Sequence, residues 1–183
     1  MFSQSRNSKG SLGLNVAAAA VLLVGSAAHA ADHFTLTAYT NSLAGNSLVH
    51  GKYELAIDQL SLDAHSLASE SVSTNRCVAL IVTRKFDEAK SACNDAVSAA
   101  QQELAGLPIS QSYARQDYRQ YLASAYSNRA VLSYLLNDKT GAQVDLQKAE
   151  AVAPKDNTVA SNVTALQSHD AVAQVSIAQS KQR

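Results

Sequence analysis

The only two thiols of this 183-residue chain are Cys77 and Cys93. A pair of cysteines admits three chemistries: a structural disulfide, a redox couple, or two reduced thiols packed as small hydrophobes. The Cys-x-x-Cys spacing that lowers a thiol pKa in redox couples is absent. Histidine is the other reactive type, represented beyond residue 30 by His33, His50, His65 and His169. None stands at a helical metal-ligand spacing from another histidine or an acid. His65 follows Asp63 by two residues, a step that diverges on a helix. The pattern therefore predicts no metal site. The glycines are scattered, which leaves no phosphate-binding loop, and no serine occupies a Gly-x-Ser-x-Gly elbow. No catalytic residues and no cofactor are expected.

Which cysteine chemistry applies depends on the compartment. Arg6 and Lys9 make a basic start, an apolar stretch follows at about 16–24, and Ala28-His29-Ala30 fits a small-x-small cleavage site. Residues 1–30 read as an alanine-rich signal peptide of bacterial style, with the mature chain starting at Ala31. The periplasm is the expected destination, and full secretion the alternative. The apolar run is about half the length needed to span a bilayer, so no membrane association is expected after cleavage. In an oxidising compartment, two cysteines point to a disulfide. The whole chain balances 15 basic against 15 acidic residues. Loss of Arg6 and Lys9 leaves a net charge of about −2, which is no footprint for nucleic acid or anionic lipid.

The elements that must position these residues are helical. Alanine is abundant, large apolar residues are sparse, and Trp is absent. Such a core requires closely approaching helices and predicts an all-α fold. Residues 31–40 form a lead-in. The alternation of Phe34, Leu36 and Ala38 suits a strand, but no partner strand is evident downstream, so coil is expected. Helices are expected from about 41, then over 52–66, from Ser71 or Ser73 to 83, and over 86–104, 111–136, 140–153 and 158–167. Ser110 and Asp156 or Asn157 offer caps. The tail, 168–183, is expected to fray.

An internal repeat organises these helices. Asn75-Arg76-Cys77-Val78 is followed by Ala89, Cys93 and Ala96, and Asn128-Arg129-Ala130-Val131 by Ala142, Leu146 and Ala149 at the same offsets. Asn41, Asn75, Asn128 and Asn162 are separated by 34, 53 and 34 residues. The stretch 123–156, with Tyr126, Ala130, Ala142, Leu146, Ala149 and Pro154, resembles the tetratricopeptide repeat, a 34-residue helix-turn-helix unit. It departs in having Tyr126 where Trp is usual and Arg129 where an apolar residue is common. The 70–103 copy fits less well, and the 37–69 copy keeps only its turn and second helix. The resemblance covers nearly all of 37–167 and implies, for 41–167, a solenoid of about three hairpins with a C-terminal capping helix. It places Cys77 and Cys93 where one helix of a hairpin packs on the other. A bridge there would close a loop of about 17 residues, worth roughly 3 kcal/mol in the chain-entropy model.

The resemblance also implies a concave groove lined by the first helix of each hairpin. Its lining would include Asn75, Val78 and Ile81 from one copy, and Asn128, Val131 and Tyr134 from the next, among small hydroxyls such as Ser71, Thr74, Ser124 and Ser127. An asparagine amide both donates and accepts, which suits it to hold an extended peptide backbone without reading its sequence. It suits equally a bond within or between helices. Arg76 and Arg129 lie about 100 degrees round the helix from these positions, toward helix interfaces or acids such as Asp145. Tyrosines 113, 118, 121, 126 and 134 offer a second surface, or filling between the long helices.

The expected function is a non-catalytic scaffold that binds a protein or peptide. The alternatives are a redox accessory protein using Cys77 and Cys93, and a self-assembling module. With its first copy degraded, the 37–69 end is expected to be the most mobile part of the domain, or the end that a partner completes.

Overall fold

The computed structural model describes residues 33–62, 69–168 and 175–180. The signal peptide expected at 1–30 lies outside them. Seven helices and two short strands follow one another: β1 (Phe34–Tyr39), α1 (Gly45–Val49), α2 (Tyr53–Leu62), α3 (Glu70–Val82), α4 (Phe86–Gly106), α5 (Ser112–Leu135), α6 (Lys139–Val152), α7 (Asn157–Gln167) and β2 (Val175–Ser180). The all-α expectation holds for the body of the chain.

The two best copies of the repeat each form a helix pair. The most extensive packing is between α3 and α4 and between α5 and α6, followed by α4 against α5. The links are short, so each pair is antiparallel. Arg84 and Asn137, at the same place in the two copies, adopt left-handed backbone with φ of 59° and 65° and end α3 and α5. The contacts are made by small residues. Ala89, Ala96 and Ala100 of α4 and Ala123, Ala125 and Ala130 of α5 have no solvent exposure.

Start signals lie close to where they were expected. Asp156 caps α7, accepting from the Thr158 and Val159 N–H groups at 2.8 and 3.0 Å. Asp138 caps α6 by accepting from the Gly141 N–H at 2.8 Å. The cap of α3 is Ser69, ahead of Ser71 and Ser73. Ser110 is not the cap of α5: Gln111 holds that position and its side chain makes no capping bond. α7 packs on α6 and α5.

Cys77 and Cys93 are joined, with an S–S distance of 2.07 Å across a sequence separation of 16. Both are fully buried between α3 and α4. The arginines beside the repeated asparagines tie helices together. Arg129 makes a bidentate pair with Asp145 (Nε–Oδ2 2.7 Å, Nη2–Oδ1 2.8 Å) and donates from Nη1 to Asn94 at 2.9 Å. Its guanidinium lies 5.6 Å from the centre of the Tyr126 ring. Arg76 donates to the Leu60 carbonyl at 2.7 Å, fastening α2 to α3.

Two expectations for the chain ends are overturned. Phe34–Tyr39 is a strand, not coil. Its partner is β2, drawn from the tail expected to fray, in parallel register from Phe34↔Val175 to Tyr39↔Ser180. The first repeat keeps its second helix, α2, while its first is short, in line with the degraded copy expected, but no helix starts at Asn41. Asn41 sits exposed in a turn, and α1 has only 5 residues. Phe34, Leu36 and Ala38 are fully buried within the main core. Local periodicity could not register this, because the contacts of β1 are with α3, α5, α7 and β2.

Replacement of both Cys77 and Cys93 by alanine is expected to cost about 3 kcal/mol of unfolding free energy, the value for a loop of this length. Urea unfolding under non-reducing conditions measures it. An unchanged midpoint would show that the bridge adds nothing.

Candidate functional site

The candidate site grows from one residue type at one place in three helices. Asn75 of α3, Asn128 of α5 and Asn162 of α7 each have no solvent exposure. A polar amide buried this deeply must find both a donor and an acceptor. Each finds them on the backbone of a single residue of β1. The Tyr39 N–H donates to Asn75 Oδ1 at 2.8 Å, and Asn75 Nδ2 donates back to the Tyr39 carbonyl at 3.0 Å. Thr37 and Asn128 exchange the same two bonds at 2.8 and 2.9 Å. Thr35 and Asn162 do so at 2.7 and 2.8 Å.

The clamped residues are alternate ones, which is what an extended chain dictates. In a strand the N–H and C=O of one residue point to the same edge, and successive residues point to opposite edges. Residues 35, 37 and 39 therefore turn one edge of β1 onto the asparagines, leaving the edge of residues 34, 36 and 38 for β2. Asn75 Nδ2 also donates to the Leu43 carbonyl at 2.9 Å, and Asn162 Nδ2 to Ser127 Oγ at 2.8 Å.

The side chains of β1 lie along α5 on either side of Asn128. Phe34 packs on Tyr134 with ring centres 4.6 Å apart. Tyr39 meets Tyr121 edge-on at 4.8 Å, and Tyr121 meets Tyr118 at 5.4 Å. The two faces of the strand thus point toward opposite ends of the helix. Gly45 matters because of close approach: a Cβ there would overlap the Tyr39 carbonyl and crowd the Asn75 amide.

The six residues expected to line a groove divide accordingly. Asn75 and Asn128 hold β1, and Tyr134 carries Phe34. Val78, Val131 and Ile81 are buried in the core region that β1 joins. Sequence reasoning missed Asn162 as a third clamp, although its 34-residue spacing from Asn128 was the available signal. The tyrosines split as well. Tyr121 and Tyr134 contact β1, and Tyr126 accepts from Gln101 at 2.8 Å under Arg129 and Lys148. Tyr113 is exposed.

Electrostatics at the site are those of a closed core. Burial pushes the Tyr39 phenol well above its ordinary value, so it stays neutral. Glu70, the buried first residue of α3, has its carboxyl raised, first by burial, against a backbone hydrogen bond that lowers it, and further by the charge of Glu103. Among the described residues there is no cluster of three or more histidines, cysteines or acids that could hold a metal ion, and no helix long and apolar enough to cross a membrane. The arrangement is suited to gripping backbone. Compared with known protein families, with curated proteins and with solved structures, the chain matches none.

Asn128→Ala strips partners from a buried N–H and a buried C=O of Thr37, and is expected to cost about 2–4 kcal/mol. The same change at the exposed Asn46 should stay within about 0.5 kcal/mol. Equal urea midpoints for the two variants would refute the clamp. A raised folded-state pKa means the folded form binds the Glu70 proton more tightly than the unfolded form. Stability therefore falls as pH rises through that folded-state pKa. Glu70→Gln should flatten this dependence and raise stability at neutral pH, as thermal melts across a pH series would reveal.

Proposed function

We propose that this chain is an exported, non-catalytic scaffold of tetratricopeptide-like hairpins that holds extended polypeptide by its backbone. The carrying observation is the three-rung asparagine ladder, which grips Phe34–Tyr39 through backbone groups alone. In effect the N-terminal strand is the groove's resident ligand. An amide presents the same donor and acceptor pair as a neighbouring strand, so the grip needs no particular side chain from what it holds. The helix pairs α3–α4 and α5–α6 with the α7 cap support the repeat reading. The buried Cys77–Cys93 bridge supports an oxidising compartment, with the periplasm first. Full burial also argues against the redox alternative, because thiol exchange needs access to a sulfur.

The test is complementation. A chain beginning at residue 40 is refolded with and without a synthetic peptide covering residues 33–39, and helicity and binding are followed by circular dichroism and calorimetry. The peptide is expected to bind and restore cooperative melting. Thr35→Ser in the peptide should change affinity less than about threefold, whereas methylation of the Thr37 nitrogen should weaken it at least about tenfold. Indifference to that methyl group would sink the backbone-grip reading.

A further inference from the structure

Two edges of β1 are satisfied in different ways, and only one is built into the helical body. The edge of residues 35, 37 and 39 is held by side chains of α3, α5 and α7. The opposite edge, of residues 34, 36 and 38, is paired with β2. β1 is packed against α1, α3, α5 and α7, while β2 meets β1 and α1. With β2 in place Phe34, Leu36 and Ala38 are fully buried, and departure of β2 would leave the backbone groups of this edge without their strand partner.

From this we infer that the 34/36/38 edge of β1 is a strand-acceptor site for an extended, uncharged segment of another polypeptide, with β2 as its intramolecular occupant. Three features favour exchange of β2 over exchange of β1. Parallel pairing is slightly weaker per residue than antiparallel pairing, so an incoming antiparallel strand gains over the resident one. β2 can leave without breaking any rung of the asparagine ladder. β1 is anchored by a tight turn, with the Ser42 N–H donating to the Tyr39 carbonyl at 3.1 Å and the Gly45 N–H to the Ser42 carbonyl at 3.0 Å. The chemistry of the ligand follows from the resident. Val175–Ser180 reads Val-Ser-Ile-Ala-Gln-Ser, six residues without a charge. They pair with β1 in continuous register. The binding mode is strand addition, with affinity from main-chain hydrogen bonds. This inference rests on the backbone-grip reading, since a β1 that was not fixed by the asparagines could not present its second edge.

Amide hydrogen exchange by NMR on the chain from residue 31 tests it. The Leu36 and Ala38 amides should exchange at least about tenfold faster than those of Thr37 and Tyr39, because opening β2 frees only the first pair. Equal protection at all four would mean that the strands open together, and would overturn the acceptor site. The synthetic peptide Val-Ser-Ile-Ala-Gln-Ser, added to about millimolar against the resident strand's effective concentration, should slow Leu36 and Ala38 selectively. It should bind at least about tenfold more tightly to an Ala178→Pro chain, whose resident strand loses the N–H that this register turns toward the Leu36 carbonyl. A peptide with Glu in place of Ile should bind more weakly. No binding to the Ala178→Pro chain overturns the proposal. A concentration-dependent dimer with Leu36 and Ala38 still protected would make the occupant a second copy, against the assignment to a separate partner. The parent reading fails separately: Thr37 protection unchanged by Asn128→Ala would remove the ladder, whatever happens at Leu36 and Ala38.

Discussion

The bidentate pairing of three buried asparagine amides with one extended backbone is the interaction on which the rest of the structure depends. A stack of helix pairs is nearly one-dimensional, because each unit touches only its neighbours. Here one strand crosses the stack, and its rungs join residues 36, 91 and 127 positions apart in sequence. β1 therefore ties α3, α5 and α7 to one strand, in addition to the direct packing of α3 on α5 and of α5 on α7. With two full helix pairs among the described residues, this coupling supplies what further pairs would supply in a longer stack. Its apolar counterpart is the burial of Phe34, Leu36 and Tyr39 among side chains otherwise rich in alanine.

The repeated Asn-Arg-small-Val phrase is four separate tasks placed on one helical turn. The asparagine faces β1. The arginine, one residue on, reaches neighbouring helices: Arg76 the Leu60 carbonyl, Arg129 Asp145 and Asn94. The small residue, Cys77 or Ala130, lies against its partner helix, where Cys77 also gains a covalent bond. The valine is buried. Each direction from the helix thus meets a different neighbour, and for that reason the phrase recurs as a unit.

How much of this was legible in the sequence follows from the range of the contacts. The hairpins α3–α4 and α5–α6 are local, and the helical spacing of their alanines outlines them closely. The cysteine pair was legible for the same reason, being on adjacent helices. The groove asparagines were marked by their period, and their amide chemistry suggested a peptide backbone. That the backbone belongs to the same chain was not visible. The alternation of Phe34, Leu36 and Ala38 is a strand pattern, but a strand is normally confirmed by finding another strand. One of its partners here is a column of side chains from three helices, and the other is a segment over a hundred residues away. Asn41 misled for a complementary reason. It keeps the 34-residue spacing to Asn75, yet it lies in the turn after β1, where no helix starts.

An occupied groove also decides where competition can occur. At the asparagine face, an outside peptide must replace both halves of three bidentate pairs and evict Phe34, Leu36 and Tyr39 from the core. Its rival is tethered within a few residues by the turn at Ser42. The tether holds β1 at a high effective concentration, and every rung lost before the newcomer is seated leaves a buried amide unpaired. At the outer edge of β1 the newcomer meets only the pairing of β2, and the ladder stays intact throughout. The two edges therefore differ in what exchange would disrupt, although they belong to one strand. The inner edge is suited to holding the fold together, and the outer edge to trading one extended segment for another.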